Sequence, residues 1–130
     1  MPDHSLNVLP EMQFKYLLEH ECKRALRFQY YFSLLIIKVE NASSESHLIS
    51  EIRNLIKNAI RDCDTLGAIQ YNKLAILLCF TDQPNTIARR ILNKIQYDIP
   101  GINIKMSGVC FPLSATTAVD LFRECEAQIV

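Results

Sequence analysis

The stretch that decides the fold runs IRDCDTLGAIQYNKLAILL over residues 60–78. It centres on two short apolar runs, Thr65–Ile69 and Leu74–Phe80, which are separated by the polar segment Gln70-Tyr71-Asn72-Lys73. Two such runs around a polar segment predict a β-hairpin, and Asn72 tolerates the positive φ that a tight turn often requires. The turn has neither glycines nor an acidic pair, so the hairpin lacks the chemistry expected of an active site.

Upstream of the hairpin, apolar residues recur at helical spacing in two segments. These segments predict amphipathic helices from Pro10, at a first helical position, to about Phe28, and from Leu48 to Cys63. The run FSLLIIKVE between them, Phe32–Glu40, is continuously apolar and predicts a buried central strand. Residues 1–9 show no period and are expected to form a loose lead-in. The serines within residues 41–46 are candidates to cap the second helix.

Downstream of the hairpin, the pattern predicts a third helix, another strand and a fourth helix. The segment Thr81–Pro84 offers a cap and an early proline before the apolar stripe of Ile87–Ile95. Residues Ile102–Phe111 alternate as in a strand, and Thr117–Asp120 resembles a capping box that opens a helix reaching Ile129. Helices alternating with strands that form hairpins predict a single α+β domain over residues 1–130. We expect a ferredoxin-like sandwich with a mostly antiparallel central sheet flanked by helices.

Charge and hydrophobicity argue against several classes of partner. The chain has fourteen basic and fourteen acidic residues, so its formal net charge is zero and gives no electrostatic support for nucleic-acid binding or attraction to a membrane surface. No apolar run approaches the roughly 20 residues that a membrane-spanning helix needs. The first ten residues contain Asp3 and His4 and no apolar core of a signal peptide, which predicts a cytoplasmic protein.

The residues that usually carry chemistry are scattered along the sequence. The three glycines are not clustered, which excludes a P-loop and a dinucleotide-binding fingerprint. The five cysteines form no close pair, so we expect small buried hydrophobic side chains in a reducing compartment and no metal site or cofactor. Asp62 and Asp64 are expected to point apart as solvated helix-end residues. The three histidines are expected at the surface; these residues are His4, His20 and His47.

The hairpin and its surroundings resemble the centre of GGDEF domains, the diguanylate cyclase family. In that family a helix ending L-R-x-x-D leads into a strand, the G-G-D/E-E-F hairpin and a strand of A-I-L-L type. Residues 60–78 match this frame without a gap and place Gln70–Leu74 at the GGDEF positions. Phe14–Arg27 resembles the family's F-x3-L-x2-E-x2-R-A helix, and Ser33–Glu40 resembles its S-L-L-L-L-D-I-D strand. The resemblance therefore implies the cyclase-type fold over nearly the whole chain.

The departures from the family pattern imply that the cyclase chemistry is lost. An active member holds the GTP phosphates against the two hairpin glycines and binds metal through acidic residues of the hairpin and of the D-x-D strand. Magnesium catalysis relies on anionic oxygen ligands, so replacing them with lysines reverses the local field. We therefore expect no enzyme activity. The residues at these degenerate positions are Lys38, Glu40, Gln70, Tyr71, Asn72 and Lys73.

One functional feature of the family is retained in the sequence. Many GGDEF domains carry an inhibitory R-x-x-D site, five residues before the hairpin motif, that binds cyclic di-GMP. Arg61 and Asp64 match that spacing, and Arg90 or Arg89 falls where a supporting arginine of the site lies on the next helix. Arginine suits bidentate contacts to phosphate or guanine, although an arginine and an aspartate at a helix end can also simply cap and pair.

Three hypotheses follow from the resemblance. The first is an inactive GGDEF-like signalling module that acts by binding a protein partner or by self-association, for example as a homodimer, in cyclic di-GMP-related signalling. The second is a cyclic di-GMP receptor that uses Arg61 and Asp64. The third is a cyclase with residual activity on GTP.

Overall fold

The computed structural model describes residues 8–40 and 47–129, which form one five-stranded sheet and four helices. The elements in chain order are β1 Val8–Pro10, α1 Glu11–Phe28, β2 Phe32–Val39, α2 His47–Ala59, β3 Thr65–Gln70, β4 Lys73–Cys79, α3 Pro84–Asp98, β5 Ile104–Phe111 and α4 Ala118–Ala127. The strand order across the sheet is β1-β3-β4-β2-β5. Only the β1–β3 pair is parallel, so the predicted α+β sandwich with a mostly antiparallel sheet is confirmed.

Both faces of the central strand β2 are apolar because helices cover the sheet on both sides. Alternate side chains of β2 enter two separate cores: Leu34 and Ile36 pack with α1 and α4, whereas Leu35 and Ile37 pack with α2 and α3. This arrangement explains why the sequence of β2 is a continuous apolar run and does not alternate. Of the described helices, none is long and apolar enough to cross a membrane.

The start of the chain differs from the prediction. Val8 and Leu9 are not part of a loose lead-in, because they pair with Leu66 and Gly67 as the short parallel strand β1. Pro10 ends that strand and is the N-cap residue of α1, so it is not at the first helical position. The rest of the predicted lead-in and the serines proposed as caps within residues 41–46 lie outside the described residues.

Helix α2 ends four residues earlier than the apolar spacing predicts. The backbone leaves the helix after Ala59 because Arg61 and Asp64 form a local turn. The carboxylate of Asp64 accepts a hydrogen bond from the backbone N–H of Arg61 at 2.9 Å, and the N–H of Asp64 donates to the carbonyl of Arg61 at 3.0 Å. A side chain that bonds to the nearby backbone in this way competes with the helix. Cys63 therefore lies in the α2–β3 connection and not in the helix.

The other helix boundaries largely agree with the sequence signals. Thr117 caps α4 by accepting from the N–H of Asp120 at 3.2 Å, and Pro84 occupies the first turn of α3. The expected side-chain cap before α3 is absent, since Gln83 is its N-cap and makes no capping hydrogen bond. Strand β5 begins at Ile104, two residues later than predicted, and α4 ends at Ala127, not Ile129.

Candidate functional site

The turn of the β3–β4 hairpin consists of Tyr71 and Asn72 alone, since Gln70 and Lys73 still pair across it. Asn72 does not have the positive φ that its residue type allowed; among the described non-glycine residues, only Gln29 and Phe80 have one. The carbonyl of Asn72 accepts from the N–H of Val39 at 2.8 Å, which attaches the turn to β2. The side chain of Tyr71 is 53% exposed beside this turn.

Three lysines form a row across β4, β2 and β5 at one end of these strands. Lys38 of β2 lies opposite Lys73 of β4 on one side and opposite Lys105 of β5 on the other. Residues directly opposite in an antiparallel ladder project from the same face, with Cβ atoms about 4.5–5.5 Å apart. Lys38 and Lys73 lie at positions that the resemblance assigns to metal binding, and Lys105 adds a third positive charge beside them.

Two nearby acids are paired with the outer lysines. Lys73 Nζ contacts Glu126 Oε2 of α4 at 3.0 Å, and Lys105 Nζ contacts Glu40 Oε1 at 3.5 Å. The central Lys38 is half-buried and has no ion-pair partner within residues 8–40 and 47–129. The local charge is therefore positive, and the described carboxylates closest to a metal position are already paired with lysine ammonium groups.

Arg61 and Asp64, the residues of the predicted R-x-x-D site, are in direct contact with each other, as a capping pair at a helix end would be. Arg61 Nη2 lies 3.1 Å from Asp64 Oδ1, and Arg61 Nε donates to Asp64 Oδ2 at 3.2 Å. Nη2 also donates to the carbonyl of Cys79 at 2.6 Å and to Thr81 Oγ1 at 3.1 Å. The hydrogen bond to Asp64 raises the pKa of Arg61 above its usual value, against the opposing effect of burial. These bonds fix the guanidinium at the end of β4.

Asp64 is not the solvated helix-end residue that the sequence suggested. Its side chain is only 2% exposed, whereas that of Arg61 is 52% exposed. Besides the bonds from Arg61, Asp64 Oδ1 accepts the backbone N–H of Cys79 at 3.0 Å. The carboxylate therefore has a structural role in closing the end of the hairpin. The Nη1 group of Arg61 donates to none of the described residues and is available to a ligand.

A cleft of about 420 Å³ adjoins this ion pair. It lies between β1, α1 and the α2–β3 connection, and Arg61 and Asp64 are part of its wall. Arg90 reaches the end of α2 through a 3.5 Å contact between Nη2 and the carbonyl of Ala59, but it does not line the cleft. Arg89 is exposed on α3. The structure therefore brings Arg61 and Asp64 together and leaves both arginines of α3 outside the cleft.

The cysteines only partly follow the prediction of buried hydrophobic side chains. Cys22, Cys110 and Cys125 are buried, but Cys63 is exposed and Cys79 is half-buried. Burial is the main cause that raises the pKa of Cys79 to about 12. The sequence showed no close cysteine pair, yet folding brings Cys63 and Cys79 together beside Asp64. The sequence analysis missed this cluster because Cys79 is distant in sequence from Cys63 and Asp64.

No family model and no curated protein sequence matches this chain. Solved structures do match its fold. A DGC protein from Thermotoga maritima superposes with a TM-score of 0.85 at 19% identity, covering 95% of this chain and 96% of that one. An active GGEEF domain of a diguanylate cyclase from Vibrio cholerae gives 0.78 at 13% identity, covering 94% and 88%. The GGDEF domain of DgcB from Caulobacter crescentus, solved with c-di-GMP, gives 0.77 at 8% identity, covering 92% and 80%. The fold is therefore that of GGDEF domains.

Proposed function

We propose that this chain is a catalytically inactive GGDEF-like module that acts in cyclic di-GMP-related signalling in the cytoplasm through a protein partner or self-association. The observation that carries this proposal is the lysine row of Lys73, Lys38 and Lys105. A magnesium ion bound to GTP needs anionic oxygens around it. Here the two nearby carboxylates are already paired with Lys73 and Lys105, and the ammonium group of Lys38 has no counter-charge among the described residues. The fold shared with GGDEF domains supports the signalling context.

Incubation with GTP and either Mg²⁺ or Mn²⁺ tests the loss of activity directly. Chromatography of the mixture is expected to show unchanged GTP, with an active cyclase run in parallel as the positive control. Formation of cyclic di-GMP that depends on metal would show that the lysine row does not prevent catalysis, and would favour the hypothesis of residual activity.

Exposed aromatic side chains at the end of β4 support a role in protein interaction. Phe80 is 70% exposed, and its ring packs against Tyr30 with centroids 4.9 Å apart. Tyr31 is 46% exposed beside them. Large exposed apolar side chains that lie together are typical of interaction surfaces. Light scattering over a concentration series separates the two forms of the proposal, because a strictly monomeric chain excludes self-association and leaves a heterologous partner.

The alternative function is a cyclic di-GMP receptor, and the observation that favours it is the fixed guanidinium of Arg61 at the cleft. Its free Nη1 group can donate to a phosphate or guanine acceptor, and Nη2 and Nε are held by protein groups. The half-exposed position suits ligand contact. Asp64 is less suited to bind guanine directly, because its carboxylate already accepts hydrogen bonds from Arg61 and Cys79.

Calorimetry with cyclic di-GMP tests the receptor hypothesis. Binding to the wild type with loss in Arg61→Ala would support it, provided that Arg123→Ala binds normally. Arg123 is a suitable control because it is an exposed arginine of α4 whose one ion pair within residues 8–40 and 47–129 is with Asp120. Absence of heat at high micromolar ligand, or equal affinity in Arg61→Ala, would exclude the receptor function and leave the interaction module.

A further inference from the structure

Three potential metal ligands meet at the open end of the β3–β4 hairpin. The Sγ atoms of Cys63 and Cys79 and a carboxylate oxygen of Asp64 all lie within 4.8 Å of one another. Thr65 pairs with Leu77, and continuing that register by two residues places Cys63 opposite Cys79. Cys79 Sγ also donates to the carbonyl of Cys63 at 2.5 Å. The register of the hairpin therefore brings the two thiols together beside the Asp64 carboxylate.

We propose that Cys63, Asp64 and Cys79 bind one thiophilic divalent cation of the zinc class. Zinc takes sulfur ligands at about 2.3 Å and carboxylate oxygens at about 2.0–2.2 Å in tetrahedral geometry, which separates a sulfur from an oxygen ligand by about 3.6 Å. The distance between Cys63 Sγ and Asp64 Oδ1 is 3.6 Å. Binding of the ion releases two thiol protons, the one that Cys63 shares with this oxygen and the one that Cys79 donates to the carbonyl of Cys63.

The surrounding charges suit such an ion. Two thiolates and one carboxylate carry three negative charges, which are neutralised by a divalent ion and the guanidinium of Arg61. Arg61 Nε and the backbone N–H of Arg61 both hold Asp64 Oδ2, while Arg61 Nη2 and the backbone N–H of Cys79 hold Oδ1. These four donors fix the carboxylate with Oδ1 beside Cys63 Sγ. Outer partners that orient a ligand in this way are typical of zinc sites.

The fourth coordination position is open to solvent. Cys63 is exposed and Cys79 is only half-buried, so a water molecule has access to the ion. Three protein ligands and one exchangeable position are sufficient for zinc. The bound ion joins the α2–β3 connection to the last residue of β4, and the same connection carries Arg61. Ion binding at this cluster requires neither cyclic di-GMP nor a protein partner.

Metal titration of the reduced, chelator-treated protein tests the proposal. Zn²⁺ binding is followed by calorimetry, and Cd²⁺ binding by its thiolate charge-transfer absorbance. One ion per chain is expected. Affinity should fall at least about tenfold in Cys63→Ser, Cys79→Ser and Asp64→Asn, because even partners outside the coordination sphere contribute 10- to 100-fold. Asp62→Asn is the matched control, since Asp62 is an exposed neighbouring acid outside the cluster and should bind as the wild type does.

A second measurement distinguishes the loss of a metal ligand from misfolding of the variant. Because Cys63 is exposed, Cys63→Ser should leave the core intact, and circular dichroism verifies this. One equivalent of Zn²⁺ should protect Cys63 from alkylation and raise the thermal midpoint of the wild type but not of Cys63→Ser. A wild type that takes up no ion, or a folded Cys63→Ser that binds zinc with unchanged affinity and stoichiometry, overturns the proposal.

Discussion

Lys38 lies directly opposite Lys73 in the ladder between β2 and β4, although like charges at such positions are unfavourable. The repulsion is reduced because Glu126 of α4 contacts Lys73 Nζ at 3.0 Å. Helix α4 thus supplies a negative charge beside Lys73 and Lys38. This ion pair reduces the repulsion that Lys73 experiences at the hairpin, and it also connects α4 to the turn.

The first prediction concerns this ion pair. Substituting Glu126→Gln leaves Lys73, whose side chain is 17% exposed, facing Lys38 without a counter-charge. We expect the free energy of unfolding in denaturant to fall by about 1 kcal/mol, the upper end for a partly exposed pair. Asp120→Asn is the control, because its pair with Arg123 is exposed on both sides and should contribute little. Equal effects of the two substitutions would contradict the role of Glu126.

The second prediction concerns the bonds around Arg61. Arg61→Ala removes the guanidinium from the carboxylate of Asp64, which is 2% exposed and retains its backbone donors from residues 61 and 79. We expect a loss of about 2 kcal/mol in unfolding free energy, less than for a fully buried pair because Arg61 itself is half-exposed. Arg61→Lys should recover part of this loss, since it restores the charge without the fork geometry. A fully stable Arg61→Ala protein would show that the bonds contribute nothing.

The third prediction concerns thiol reactivity. Cys63 is exposed, whereas burial raises the pKa of Cys22 to about 12 and that of Cys125 to about 11. The thiolate is the form that reacts with iodoacetamide, and only about one in ten thousand Cys22 side chains is a thiolate at pH 8. Iodoacetamide should therefore modify Cys63 first. Raising the pH increases the thiolate fraction of the buried cysteines, but it should increase their labelling only if iodoacetamide can reach them. Mass spectrometry of native and unfolded protein measures this order. Native labelling of Cys22 before Cys63 would contradict it.

The fourth prediction concerns the close approach of α1 to β3. A Cβ atom at Gly67 would overlap the ring and Cβ of Phe14, which is fully buried. We expect Gly67→Ala to destabilise the protein by about 1–3 kcal/mol, as overpacked cores do. In Gly101→Ala the new methyl group meets no atom within 4 Å, and the cost comes only from the positive φ of 82°. In a Phe14→Ala background the ring is gone and only the Cβ contact remains, so Gly67→Ala should cost less there than in the wild type. The same background should not change the cost of Gly101→Ala.

The strand pattern and the hairpin were predictable because each is encoded within a few residues. The relationship between Lys38, Lys73 and Lys105 was not, since it depends on which strands pair and in what register. Lys105 was not singled out at all, because its partner Lys38 is distant in sequence. Similarly, three residues are too few to show a period, so the parallel pairing of Val8 and Leu9 left no signal in the sequence.

The pairing of Cys63 with Cys79 shows why a predicted hairpin does not determine its own register. Counting outward from the pair of Gln70 with Lys73 would place Cys63 opposite Phe80. An irregularity between Ala68 and Gln70 shifts the register by one residue and brings Cys79 into that position instead. Such a bulge has no marker in this sequence, because no glycine lies at the irregularity.

Strand β1 determines how a mechanical force would enter the fold. A pull on the backbone before Val8 is resisted first by the parallel hydrogen bonds between β1 and residues Leu66–Ala68 of β3. Because β3 begins immediately after the Arg61–Asp64 turn and also pairs with β4, a load on β1 is passed through β3 to both the turn and the central strands. The short strand is thus a mechanical link between the incoming chain and the Arg61 cleft.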